Sequence, residues 1–266
     1  MRIFDGHTHS LHSFDGSETV LDMLAAAEKA GVEQLSITDH CDLGIYYRED
    51  WRQQFEGLKA DIAAAKENYS GPVKLCFGIE LGQELHDPET AKKALSLFDF
   101  DIVIGSVHNV KDTEDFYFLT QSDIDKRDLV SRYFAEQLEL AKQGDFDVLG
   151  HLTYAYRYLG YGDDMPKPQE FEPLLRELFA ALIQRGKALE VNTSGMYRIP
   201  AQPAMPDLWE LKLYRECGGE MIALGSDAHK AENIGKSMKE AQELLRAAGF
   251  KYQTSFVERK PQLIKL

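Results

Sequence analysis

A seven-stranded β/α barrel is the fold this sequence of 266 residues predicts, on three observations. The length suits one such barrel, a single domain covering residues 1–266. Short apolar runs alternate with longer helical patterns from end to end, the order of parallel βαβ units. Ligand-type side chains, histidines above all, recur just after the apolar runs. In a barrel those strand ends meet on one face.

The apolar runs fall at residues 2–5, 34–38, 73–79, 100–105, 146–149, 188–191 and 221–224. Each is apolar on both faces, as a buried parallel strand requires. The first leads into FDGHTHSLHSFDG, residues 4–16. Side chains two apart on a strand share a face, so His7 and His9 at a strand end can aim both imidazoles at one metal ion. SETVLDMLAAAEKAG then reads as a helix with Ser17 as N-cap and Gly31 as its stop. The second run ends in Thr38-Asp39-His40, with Asp39 expected to face away from His40 and Cys41 to fill the core. The helical pattern WRQQFEGLKADIAAAKENY follows.

The third run ends at Glu80, before the helix DPETAKKALSLF, and the fourth leads to His108 and DKRDLVSRYFAEQLELAKQG. His151 follows the fifth run and precedes KPQEFEPLLRELFAALIQRG. Asn192 ends the sixth, before MPDLWELKLYRECGG, and Asp227 and His229 follow the seventh, before KSMKEAQELLRAAG. Asp227-Ala-His229 repeats the i, i+2 spacing of His7-Thr-His9. Six of the eight histidines thus sit at strand C-termini, a rhythm that scattered surface histidines would not keep.

Together His7, His9, His40, His108, His151 and His229 with Asp15, Glu80 and Asp227 exceed the roughly four ligands of one zinc site. Two or three divalent ions are implied. Imidazole mixed with carboxylate suits zinc, manganese or iron alike. No Ser or Cys is paired in sequence with a base in a way that compels a covalent route.

Composition narrows the partners. Hydrophobic residues make up 44% and charged ones 28%, without a low-complexity tract. The net charge of −14 opposes non-specific binding to nucleic acid or an anionic membrane. MRIFDGHTHS holds no apolar leader and no run approaches the roughly 18 apolar residues of a membrane span, so a cytoplasmic protein is expected. Cys41, Cys76 and Cys217, widely spaced, fit reduced thiols.

His7-x-His9, Asp15-Gly16, Thr38-Asp39-His40, Glu80, Ser106-Val107-His108, Gly150-His151 and Ser226-Asp227-Ala228-His229, in that order, resemble the PHP (polymerase and histidinol phosphatase) family. The sequence is most similar to its monofunctional histidinol-phosphate phosphatases. That resemblance implies a distorted seven-stranded barrel of TIM-like type with a trinuclear metal centre. It also implies hydrolysis of L-histidinol phosphate, a small phosphorylated substrate, by attack of a metal-bridging hydroxide. One ion would be held by His7, His9, Glu80 and Asp227; a second would share Glu80 and add His108 and His151; a third would take Asp15, His40 and His229. Some relatives carry His at the Asp15 position. Glu80, Asp227 and His229 are the catalytic candidates. Arg198, in TSGMYRIP, and Arg157, in YAYRYLGYG, are the candidates for the substrate phosphate, because a guanidinium clamps phosphate oxygens in bidentate fashion.

Other residues fall outside this set. His12 and His86 are expected in loop or supporting roles, and Tyr154, Tyr156, Tyr158 and Tyr161 in packing or at the mouth above the fifth strand. Three rival readings share part of the pattern. An amidohydrolase would place a carboxylated lysine after the fourth strand, where His108 stands. A PHP nuclease would call for a basic groove, against the −14 balance. A purely structural metal site would be satisfied by about four ligands.

Overall fold

The computed structural model describes residues 2–43, 51–119, 124–198 and 202–266, apart from the Arg198 side chain. Its strands are β1 (Ile3–Thr8), β2 (Val32–Ile37), β3 (His40–Asp42), β4 (Lys74–Gly82), β5 (Ile102–Ser106), β6 (Val148–Leu149), β7 (Ala188–Asn192) and β8 (Ile222–Gly225). They pair in parallel in the order β1-β2-β4-β5-β6-β7-β8, with β3 on the upper part of β4. The seven predicted runs all lie in this sheet. The short β3 continues the line of β2 after a break at Thr38-Asp39, so it escaped a reading based on apolar runs.

The sheet curls until β1 meets β8. Thr8 bridges Ala228, the His9 amide donates to the Ala228 carbonyl at 2.9 Å, and the Asp227 amide donates to the His7 carbonyl at 2.8 Å. Lower down, the buried Asp5 carboxylate accepts from the amides of Ser226 and Gly235, each at 2.9 Å. The amides of His9, Ser226, Asp227 and Gly235 thus each have a side-chain or backbone acceptor where regular strand pairing is missing, as buried N–H groups require.

The opposite end is closed by an antiparallel hairpin of β9 (Tyr252–Val257) and β10 (Lys260–Lys265), which the sequence reading did not anticipate. Phe256 enters the barrel interior against Ile102, Ile104, Val148, Ala188 and Ala223. Gln34 donates to Ser255 Oγ at 2.6 Å and to the Phe256 carbonyl at 3.1 Å, and Thr254 Oγ1 accepts from the Ile222 amide at 3.1 Å. A two-stranded hairpin is marginal by itself; here its polar edge is satisfied by strand starts.

Helices cover the outside: α1 (Val20–Ala30), α2 (Trp51–Asn68), α3 (Pro88–Leu97), α4 (Lys126–Gln143), α5 (Tyr154–Leu159), α6 (Glu172–Gln184), α7 (Ser194–Arg198), α8 (Leu208–Glu216) and α9 (Met238–Ala247). The N-cap of α1 is Thr19, not Ser17: its hydroxyl accepts from the Asp22 amide at 3.1 Å. Gly31 ends α1 at φ +73°, as expected of a glycine stop. The short α5 and α7 lie on the strand-end face, too brief to show helical periodicity. Cys41 and Cys76 are buried, and burial pushes both thiols up to about 12. Among the described residues no helix is long and apolar enough to cross a membrane.

Candidate metal centre

The strand C-termini bring the predicted ligands to one cleft of about 300 Å³. His7 projects from β1 and His9 from the residue after its end; their rings lie 5.0 Å apart. Glu80 stands at the centre, fully buried on β4. Its Oε2 lies 3.2 Å from His7 Nε2, 3.5 Å from His9 Nε2 and 2.8 Å from His40 Nδ1. Its Oε1 lies 3.2 Å from His108 Nε2 and 2.8 Å from His151 Nε2, and accepts from Ser106 Oγ at 2.6 Å. Asp227 Oδ1 is 3.3 Å from His9 Nε2 and 3.9 Å from His7 Nε2. At the mouth, His229 Nε2 is 2.9 Å and His40 Nε2 3.7 Å from Asp15 Oδ2.

Asp227 does not reach the cleft by strand alternation, as the i, i+2 reading of Asp227-Ala-His229 supposed. β8 ends at Gly225, and Asp227 takes φ +54°, in the left-handed region that Asp tolerates better than most residues. A turn, not a pleat, delivers the pair.

The residues that orient the imidazoles were not anticipated. Glu190, on β7, places Oε1 2.7 Å from His7 Nδ1, while its Oε2 accepts the His151 amide at 2.7 Å. Asp42, on β3, places Oδ1 2.7 Å from His108 Nδ1. Each carboxylate fixes the proton on Nδ1 and so turns the Nε2 lone pair inward. Gly225 makes room for the first of these pairs, since a Cβ there would collide with Glu190 Oε1 and His7 Cβ. A carboxylate inside the apolar run ALEVN was the available hint for Glu190; for Asp42 it was the spacing of two from His40.

Electrostatics follows from this crowding. Burial works to raise Glu80, yet His7, His40 and His108 hold its carboxyl well below the usual range. Burial opposes charge on His7, but Glu190 and Glu80 lift it well above an ordinary histidine; His108, likewise buried, is raised to about 10 by Asp42 and Glu80. His9, buried between His229 and His40, is pushed well down. Asp15 is held low by His229 and His40 against its desolvation.

The donor set fits divalent metal. Among the described residues, buried His7 Nε2, His9 Nε2, His40 Nδ1 and Glu80 Oε2 make no hydrogen bond of sound geometry. Such buried acceptors facing one another are costly unless a cation lies among them. Among the described residues, three overlapping groups have ligand atoms close enough for one ion: His7, His9 and Glu80; His40, Glu80 and His108; and His9, His40 and His229. Glu80 belongs to two of them, as a shared ligand should.

Arg157, on α5, faces the same cleft with Tyr154 and Tyr158. Its Nη1 donates to Ser194 Oγ at 2.9 Å and lies 3.6 Å from Asp227 Oδ2. Arg198 ends α7, and its side chain lies outside the described residues. Asp39 turns away, accepting from the Ser10 amide at 2.5 Å and the Ser10 hydroxyl at 2.6 Å. His12 pairs with Asp61 at 2.8 Å and His86 with Glu136 at 3.1 Å, both away from the cleft.

Comparison with known proteins agrees with this geometry. The chain is 28% identical over 265 residues to the histidinol-phosphatase of Lactococcus lactis, covering 96% of this chain and 95% of that one. It is 26% identical over 250 residues to a protein of Thermotoga maritima named as a probable histidinol-phosphatase, covering 94% of each. The fold superposes with a TM-score of 0.82 on the crystal structure of the Lactococcus lactis histidinol phosphate phosphatase complexed with zinc, L-histidinol and phosphate. That match is 27% identical and covers 98% of this chain and 99% of the other. The PHP domain model matches residues 5–194, and the chain belongs to the PHP family.

Proposed function

We propose that this chain is a metal-dependent phosphatase, one domain over residues 1–266, that hydrolyses L-histidinol phosphate to L-histidinol and phosphate in the cytoplasm. The observation that carries this reading is the convergence of orphaned imidazole and carboxylate donors on Glu80, under a cleft that also presents a guanidinium. The full-length similarity to histidinol-phosphatases supports the substrate.

His7, His9, Glu80 and Asp227 would hold one ion, Glu80 with His108 and His151 a second, and Asp15, His40 and His229 a third. Zinc is the first to test, because the Lactococcus lactis structure contains it; manganese and iron suit the same donors. Divalent ions here would neutralise phosphoryl charge and lower the pKa of water to near neutrality. The chain's own part is positioning. Glu190 and Asp42 keep His7 and His108 in the tautomer whose Nε2 accepts. Ser194, bonded to Asn192 Oδ1 at 2.6 Å and to Asp227 Oδ2 at 3.0 Å, holds the Asp227 carboxylate in place and seats Arg157. Arg157 binds a phosphate oxygen and orients the monoester in the cleft.

The test compares kcat/KM for L-histidinol phosphate, an aryl phosphate, nucleotides and single-stranded DNA, before and after chelation. Histidinol phosphate should lead, with activity lost on chelation and restored by metal. His9→Ala and Asp227→Ala should each abolish turnover. A nucleotide or DNA outperforming histidinol phosphate would refute the substrate, and hydrolysis surviving complete metal loss would refute the mechanism.

A further inference from the structure

A second cavity, open on one side to solvent, lies between residues 161–169 and the start of α8. It shares no lining residue with the metal cleft, and α5 separates the two, presenting Arg157 and Tyr158 to the cleft and Tyr156 to the cavity. Its walls are aromatic and acidic. Tyr156 is 2% exposed and its buried hydroxyl has no hydrogen-bond partner among the described residues. Glu210 is 5% exposed; the amides of Asp207 and Glu210 at the start of α8 help its carboxylate, while the Asp207 carboxylate, of like sign, works against it. Burial thus pushes the Glu210 carboxyl up to about 7. Tyr161 and Trp209 complete the walls, with Lys167 exposed at the rim.

We propose that this cavity binds a small organic cation, an ammonium on an apolar or aromatic body. The ammonium donates to the Glu210 carboxylate and the Tyr156 hydroxyl, and the body lies against Tyr161 and Trp209. One positive group gives the Tyr156 hydroxyl a partner and neutralises the Glu210 carboxylate beside Asp207, and aromatic faces attract cations further. An anion would meet Asp163, Asp207 and Glu210, and a neutral apolar molecule would leave the buried Tyr156 hydroxyl unpaired.

Calorimetric titration of the metal-loaded enzyme tests this with benzylamine as probe and benzyl alcohol as its neutral counterpart, both with inorganic phosphate saturating the metal cleft. Benzylamine should bind, and benzyl alcohol should bind about tenfold more weakly or worse. Glu210→Gln and Tyr156→Phe should each weaken benzylamine about tenfold. Tyr156→Phe removes a hydroxyl that has no partner among the described residues, so an unchanged melting temperature will show that its fold is intact. Absence of benzylamine binding, equal binding of the two probes, or wild-type affinity in folded Tyr156→Phe would overturn the proposal.

Discussion

Replacing Glu190 by Gln should strip metal from the centre without unfolding the barrel. The carboxylate serves His7 Nδ1 through Oε1 and the His151 amide through Oε2, each at 2.7 Å, with the Asn192 side-chain amide also donating to Oε2 at 3.4 Å. Glutamine offers one oxygen and one NH₂. If the oxygen stays on His7, the NH₂ meets the His151 amide, and a buried backbone donor is left unsatisfied at a cost of about 1–3 kcal/mol. If the oxygen turns to His151, the NH₂ faces His7 Nδ1, which must then become the acceptor. The proton moves to Nε2 and that nitrogen no longer ligates. Either arrangement falls in the range found for residues that support metal ligands, a loss of roughly 10–100-fold in affinity, or about 1.4–2.8 kcal/mol. The assay is metal content after dialysis against a graded chelator, with thermal unfolding of both apo forms as the check on folding. Wild-type metal retention in a folded Glu190→Gln protein would refute the argument that this carboxylate sets the His7 tautomer.

Three further outcomes follow from the same structure. Asp5→Ala removes the acceptor for the Ser226 and Gly235 amides at the β1–β8 seam, a loss of roughly 2–6 kcal/mol for two buried donors; a melting temperature within a degree of wild type would show that water replaces the carboxylate. Arg157→Ala should lower kcat/KM for a phosphate monoester by roughly 10–100-fold, and Arg157→Lys should recover only part, because a lysine cannot make the bidentate contact; an unchanged kcat/KM for Arg157→Ala would leave that side chain a merely structural partner of Ser194. Glu210 gives a pH signature. Its folded value of about 7 lies above its ordinary 4.5, so the folded chain keeps a proton that the unfolded chain has lost, and stability falls as pH rises between those values. Glu210→Gln should therefore gain stability over wild type by about 2–3 kcal/mol more at pH 8 than at pH 4 in urea titrations, whereas an equal difference at both would mean the carboxyl ionises normally.

The barrel and the side chains gathered at its strand ends were legible because each strand announces itself twice, by an apolar run and by the polar residue at its end. His7, Glu80, His108 and His151 lie far apart in sequence yet meet on one carboxylate, since parallel strands turn order along the chain into neighbourhood around a ring. What stayed hidden depends on contacts that no local pattern encodes. The β9–β10 hairpin is defined by what it plugs, and its place beneath the barrel follows from Gln34, Ile222 and the cavity that Phe256 fills. Glu190 and Asp42 reach the site from strands whose visible residues were Asn192 and His40, and only the packed structure shows which imidazole each one turns. The metal-binding chemistry is therefore divided between two kinds of information. Which side chains converge at the strand ends is local and can be read from spacing, whereas the lone pair that His7 and His108 present is decided by a carboxylate on another strand. His12 shows the converse: it belongs to the same short stretch as His7 and His9, but the loop turns it toward Asp61 on α2, and its nearness in sequence to the ligands confers no part in the site.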